Sequence, residues 1–226
     1  GNTFSDALLS PEGVFPPHTN ITISGNRFTV TRLISRSGLG LRKPSCVVMN
    51  VLVISNDSAV VLSGNVFQTV RASSSAINVV VSSLKLSWHS LFAVMGNTFH
   101  VAGGDGTPIC LEGSSHSLSL SVLNNSAVVI RGNVVTSAVK CFMLFLRALG
   151  VESLSAVVFQ GNDMQEISVV FISSESSNIY YNSWLQFSDN LFRVSPLGAF
   201  PFFTPRRISA TPRCQCPAID SCPARE

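Results

Sequence analysis

A chain of 226 residues is long enough to bury a substantial core, yet only 12% of it is charged against 46% hydrophobic, and its formal net charge is +3. So little charge excludes the Lys/Glu-coated surface of an ordinary helical domain, and no run of five Lys or Arg argues for nucleic-acid binding. Ser, Gly, Asn and Thr take the place of charge, which with abundant Val is the composition of an all-β protein. The most apolar stretch, 139–151 (VKCFMLFLRALGV), is too short to span a bilayer and carries Lys140 and Arg147.

The chain opens on Gly1-Asn2-Thr3-Phe4, the end of a unit that recurs along it. In order the copies are NITISGNRF (20–28), SAVVLSGNVF (58–67), LFAVMGNTF (91–99), SAVVIRGNVV (126–135), SAVVFQGNDM (155–164) and WLQFSDNLF (184–192), the last with Asp189 in place of Gly. Each reads as a short strand, a corner, and an apolar residue turning back inward. The corner residues are Asn26, Asn65, Asn97, Asn133, Asn162 and Asn190, preceded by Asn2, at intervals of 24, 39, 32, 36, 29 and 28 residues. Such uneven spacing excludes a rigid short repeat and fits a coil with one fixed corner and connections of varying length. Gly and Asn both tolerate a left-handed backbone that β-branched neighbours cannot adopt. The Phe two places after the Asn is expected to plug the interior, and the amides to stack as a ladder.

Further strands are expected between corners: 47–54 (VVMNVLVI), the alternation Leu84-Leu86-Trp88, the alternation Leu118-Leu120-Val122, and 168–172 (SVVFI). Two or three strands per repeat predict a right-handed parallel β-helix, or solenoid, over 1–195. Antiparallel hairpins would instead show two-residue turns every 8–12 residues. One turn of helix over 141–149 is an open alternative. At about 4.8 Å per coil, six or seven coils make a rod roughly 30 Å long. Beginning inside a repeat is expected of a piece cut from a longer array. Beyond Pro196 the pattern gives way to a Pro- and Arg-containing tail, 196–226, read as a linker into a truncated Cys-bearing module.

Candidate site residues are sparse. Cys46, Cys110 and Cys141 read as small residues filling the coil, with a disulfide role as the alternative. Cys214, Cys216 and Cys222 are disulfide candidates, since no zinc spacing surrounds them. His18, His89, His100 and His116 show no metal or catalytic spacing, and Gly103-Gly104-Asp105-Gly106 offers too few ligands for calcium. No cofactor is expected. Asn20, Asn56 and Asn124 head N-glycosylation sequons, and Asn56 and Asn124 each stand nine residues before a corner Asn, which puts them at one corner of different coils. The scattered Asp6, Asp57, Asp105, Asp163 and Asp189 do not form the carboxylate pair that a polysaccharide lyase or hydrolase needs, so no enzyme is expected.

The SAVVLSGNVF, SAVVIRGNVV and SAVVFQGND units, followed by CQCPAIDSC, resemble the dispersed gene family surface proteins of trypanosomes over nearly the whole chain. The resemblance implies pectin-lyase-like β-helical repeats in a very large parent that reaches the cell surface, is anchored beyond the repeats, and is shed. It implies adhesion to host cells and matrix. Host-cell or matrix proteins are the partners that follow, the mild basic excess adds anionic glycans, and a structural stalk or variable coat is the alternative.

Overall fold

A computed structural model describes residues 1–5, 13–31, 45–49, 52–70, 77–81, 83–101, 107–111, 120–137, 144–146, 148–165, 172–174, 176–193, 203–205 and 208–210. Among them the chain is all-β, with no helix, and all its strand pairs are parallel. The strands sort into stacked sheets, each visited once per repeat.

Sheet 1 holds the strands that lead into the Gly-Asn corner: Asn20–Ser24, Ala59–Ser63, Leu91–Met95, Ala127–Arg131, Ala156–Gln160 and Trp184–Ser188. Sheet 2, directly after that corner, has seven strands running from Thr3–Ser5 to Leu191–Arg193. Sheet 3 has four, from Ser45–Met49 to Leu144–Leu146, and a further pair joins Ile172–Ser174 to Phe203–Pro205. Sheet 4 has seven, from Gly13–Val14 to Ile208–Ala210. A full repeat such as 59–87 thus contributes four strands, where two or three were expected. The difference arises because 47–54 is not one strand: Ser45–Met49 lies in sheet 3 and Leu52–Ser55 in sheet 4. The helical alternative over 141–149 is replaced by Leu144–Leu146 and the start of Ala148–Val151, both strands. Of 168–172 only Ile172 lies within the described residues, and Leu118 lies outside them.

Register is set by the repeat itself. Leu91-Phe92-Ala93-Val94-Met95 pairs residue for residue with Ala59–Ser63 below and Ala127–Arg131 above. Alternation then assigns each column to one face. Val60, Leu62, Phe92, Val94, Val128, Ile130, Val157 and Phe159 point into the core, while Val61, Ala93 and Val129 share the outer face.

The core is a stack of like on like. Phe4, Phe28, Phe67 and Phe99 pile ring on ring at 5.1, 5.0 and 4.9 Å, nearly coplanar at 15°, 9° and 8°. Those distances match the spacing of adjacent strands, so an aromatic column needs no distortion to follow the layers. Val135 and Met164 continue it, fully buried. Each layer covers its apolar side chains with its neighbours, and stability is therefore a sum of nearest-neighbour terms.

Phe203–Pro205 and Ile208–Ala210, inside the stretch read as a tail, add to the same stack of sheets. Cys214, Cys216, Cys222 and Cys141 lie outside the described residues.

Candidate functional site

Two corners recur, and they differ in which side chains they spend. At the Gly-Asn corner the glycines stand at φ near +60°: Gly64 at 60°, Gly96 at 60°, Gly132 at 62°. A Cβ built on any of these three meets nothing within 4 Å, so it is the backbone and not space that calls for Gly. Asp189 occupies the same place at φ 57°. The following Asn residues do not share that conformation, so of the two residues that tolerate a left-handed backbone only the first adopts it. Nor are their side chains exposed. Asn65, Asn97, Asn133 and Asn162 are buried.

Each of these amides turns inward and bridges layers. Asn97 Oδ1 accepts the Asn65 backbone N–H at 2.9 Å and its Nδ2 at 3.0 Å, while Asn97 Nδ2 donates to the Leu62 carbonyl at 3.0 Å and to Asn133 Oδ1 at 3.1 Å. The pattern runs from Asn2 to Asn190 without a break. The Asn ladder is structural: it satisfies corner backbone groups that no strand partner reaches.

A second ladder, of hydroxyls, supports the other corner. Ser126 Oγ accepts the Ser90 N–H at 3.1 Å, Ser155 Oγ that of Ser126 at 3.2 Å, Ser183 Oγ that of Ser155 at 3.1 Å, and Ser58 Oγ that of Thr19 at 3.0 Å. Just before each Ser, between sheets 4 and 1, two consecutive residues are left-handed: Asn56 and Asp57, Trp88 and His89, Asn124 and Asn125, Ser153 and Leu154, Tyr181 and Asn182. This sharp double turn pushes both side chains outward and forms a ridge along the stack. Hydrogen bonds from His18 N to Asn56 O, Asp57 N to Trp88 O, His89 N to Asn124 O, Asn125 N to Ser153 O and Leu154 N to Tyr181 O align the layers. One column therefore reads Asn56, Trp88, Asn124, Ser153, Tyr181, and the next reads His18, Asp57, His89, Asn125, Leu154, Asn182.

The ridge gathers residues that are distant in sequence. Asp57 sits between two imidazoles, with His18 Nδ1 3.7 Å from Oδ2 and His89 Nδ1 3.6 Å from Oδ1, all three well exposed. Trp88, Leu154 and Tyr181 are more than half exposed. Leu84 and Leu86 of the Leu84-Leu86-Trp88 alternation are buried, but Trp88 lies past the strand end and faces solvent. The signal for the ridge was in the spacing, since His18, Asp57 and His89 each stand eight residues before a corner Asn. Read as isolated residues, the histidines carried no such sign.

The sequons fall as follows. Asn56 and Asn124 lie in one ridge column, Asn56 exposed and Asn124 half-buried, while Asn20 opens a sheet 1 strand and is exposed. The hydroxyls of Ser58 and Ser126 are buried in the ladder. His100 Nδ1 lies 2.6 Å from Thr136 Oγ1, away from the ridge on sheet 2. Asp163 accepts from Gln165, and Asp189 from Gln160. Cys46 is buried with its thiol 3.7 Å from Asn78 Oδ1. The side chain of Cys110 and all of His116, Asp6, Asp105 and 103–106 lie outside the described residues. Among the described residues no group of three or more His, Cys, Asp or Glu is placed to hold a metal ion.

Comparison with protein-family models, with curated proteins and with solved structures finds no match.

Proposed function

We propose that the chain is a non-catalytic segment of a right-handed parallel β-helix, a solenoid displayed on a cell surface or shed from it, whose role is adhesion to host cells or matrix. The observation that carries this reading is the division of labour between the two corners. Buried Asn and Ser ladders hold the layers together, and the ridge is left free to present aromatic and hydrogen-bonding side chains. Aromatic residues are enriched where proteins recognise partners. Resemblance to the dispersed gene family surface proteins of trypanosomes supports the same role, with a membrane-anchored parent and glycans at Asn20, Asn56 and Asn124. Anionic glycans would find Arg27 and Arg131, both exposed beside the Gly-Asn corner.

Two other readings compete. A stalk or variable coat is favoured by the outer face of sheet 1, where the half-buried Ala59, Val61, Ala127, Val129 and Val158 offer little chemistry. A polysaccharide lyase or hydrolase would need a working carboxylate pair, and Asp163 and Asp189 accept hydrogen bonds from different glutamines instead.

The deciding experiment is binding of the secreted, glycosylated chain to a panel of matrix proteins and sulfated glycans at varied salt. Saturable binding to one member supports adhesion, and loss with salt assigns it to the arginines. A folded, β-rich protein that binds no member supports the stalk.

A further inference from the structure

We propose that the ridge between sheets 4 and 1 is a binding site for an unsulfated oligosaccharide, with Trp88 and the Tyr180–Tyr181 pair as stacking platforms. The proposal rests on the adhesion reading and deepens it by naming the site and the ligand class.

Trp88 is 56% exposed, Tyr181 52% and Trp184 48%. Exposed aromatic rings of this size present flat apolar faces that a ligand can cover. Two of the three are also held in a conformation that bulky residues avoid: Trp88 at φ 57° and Tyr181 at φ 52°. The corner itself does not require an aromatic ring. In the layers on either side of Trp88 the same place is taken by Asn56 and Asn124, both at φ 54°, and Asn suits the left-handed region far better. At Trp88 the chain thus carries backbone strain that a neighbouring layer avoids, and strain of that kind gathers at ligand sites.

The ligand class follows from what surrounds the rings. Trp88 and Tyr181 are three layers apart, about 14 Å at the usual strand spacing, with Tyr180 beside Tyr181 at 6.2 Å between ring centroids. The rings do not merge into one apolar patch of the kind a protein partner covers. The two layers between them present Asn124, Asn125, Ser153 and the exposed Leu154, and His89 and Asn182 stand beside the rings, so all but one of these groups donate and accept hydrogen bonds. Flat C–H faces alternating with hydroxyls are the chemistry of a chain of sugar rings, several units long. Charge selects among glycans: the ridge columns carry the carboxylate of Asp57, with Glu152 next to the Ser153 corner, and no Lys or Arg, which disfavours sulfate or carboxylate on the ligand.

The test uses the intrinsic fluorescence of the chain. Its sequence contains two Trp: Trp88 stands on the ridge and Trp184 opens the sheet 1 strand two residues past Asn182, so the difference between the parent and Trp88→Asn isolates the ridge signal. The full chain is titrated with defined neutral hexose and N-acetylhexosamine oligosaccharides, and with a heparin hexasaccharide. Saturable quenching or a spectral shift is expected with at least one neutral ligand, together with protection of Trp from acrylamide. Trp88→Asn is expected to weaken that binding about tenfold or more, Trp88→Phe to restore part of it, and thermal unfolding of Trp88→Asn to be equal to or above the parent's. Because Asn already fills this place in adjacent layers, loss of binding cannot be ascribed to misfolding. Neutral-glycan binding that survives Trp88→Asn, or a response to heparin alone, overturns the proposal. So does the absence of any response. In those cases binding in the matrix panel, measured separately, leaves the adhesion reading standing, and failure of both removes both.

Discussion

Replacing Asn97 by Ala tests the claim that the corner amides are structural. Asn97 is fully buried, and the substitution leaves the buried Asn65 N–H without the Oδ1 that accepts it at 2.9 Å. An orphaned buried donor costs ~1–3 kcal/mol. Four further bonds go, to Asn65 Nδ2, the Leu62 and Met95 carbonyls, and Asn133 Oδ1, at roughly 0.5–1.5 kcal/mol each. The Met95 carbonyl keeps its bond from the Gly64 N–H, so the low end of each range applies and the sum is about 3–4 kcal/mol. Asn26→Ala is the control. Asn26 is half-buried and makes the equivalent bonds to Asn2 in exposed surroundings, with its bond to Asn65 Oδ1 only part-buried, so water replaces most of what is lost and about 1 kcal/mol is expected. Urea unfolding gives both differences, and amide exchange at Asn65 shows whether the loss is local, as nearest-neighbour stability requires. An Asn97→Ala protein no less stable than Asn26→Ala would refute the ladder as a source of stability.

Phe67→Ala empties the middle of the ring stack between Phe28 and Phe99 and should cost about 3–5 kcal/mol by chemical denaturation. Gly132→Val forces a β-branched residue to φ 62° in open space and should cost more than ~1–2 kcal/mol, whereas Gly132→Asp, which copies Asp189, should cost well under half of that by the same measurement. Ser126→Ala removes the acceptor of the buried Ser90 N–H and should cost ~1–3 kcal/mol; a neutral outcome would mean that the hydroxyl column is incidental.

Much of the architecture was legible because the repeat is a direct copy of the fold's period. Strands with Val at alternate places, then Gly-Asn, then Phe, gave the parallel layers and the buried aromatic column. Strand count was not legible, because the apolar run 47–54 conceals a corner that alternation alone cannot reveal. The amide ladder was legible in the Asn that recurs at one corner, but its burial was not: Asn is usually a surface turn residue, and only stacked layers supply the carbonyls and N–H groups that make its burial favourable. The ridge was missed because its residue types change from layer to layer. The second column runs His18, Asp57, His89, Asn125, Leu154, Asn182, so what its members share is a place in the layer and not a residue type.

Distances between spin labels on one column test the layered architecture most directly. Ser24, Arg131 and Ser188 belong to the same outward column of sheet 1. Nitroxides at Ser24→Cys and Arg131→Cys, three layers apart, should lie roughly 14 Å apart at the backbone, and those at Ser24→Cys and Ser188→Cys, five layers apart, roughly 24 Å. With the native cysteines replaced by Ser, pulsed electron resonance should show the separation growing by about 4.8 Å per layer, independent of the uneven number of residues between corners. Distances that follow sequence separation, or that fail to grow from the fourth layer to the sixth, would contradict parallel in-register stacking.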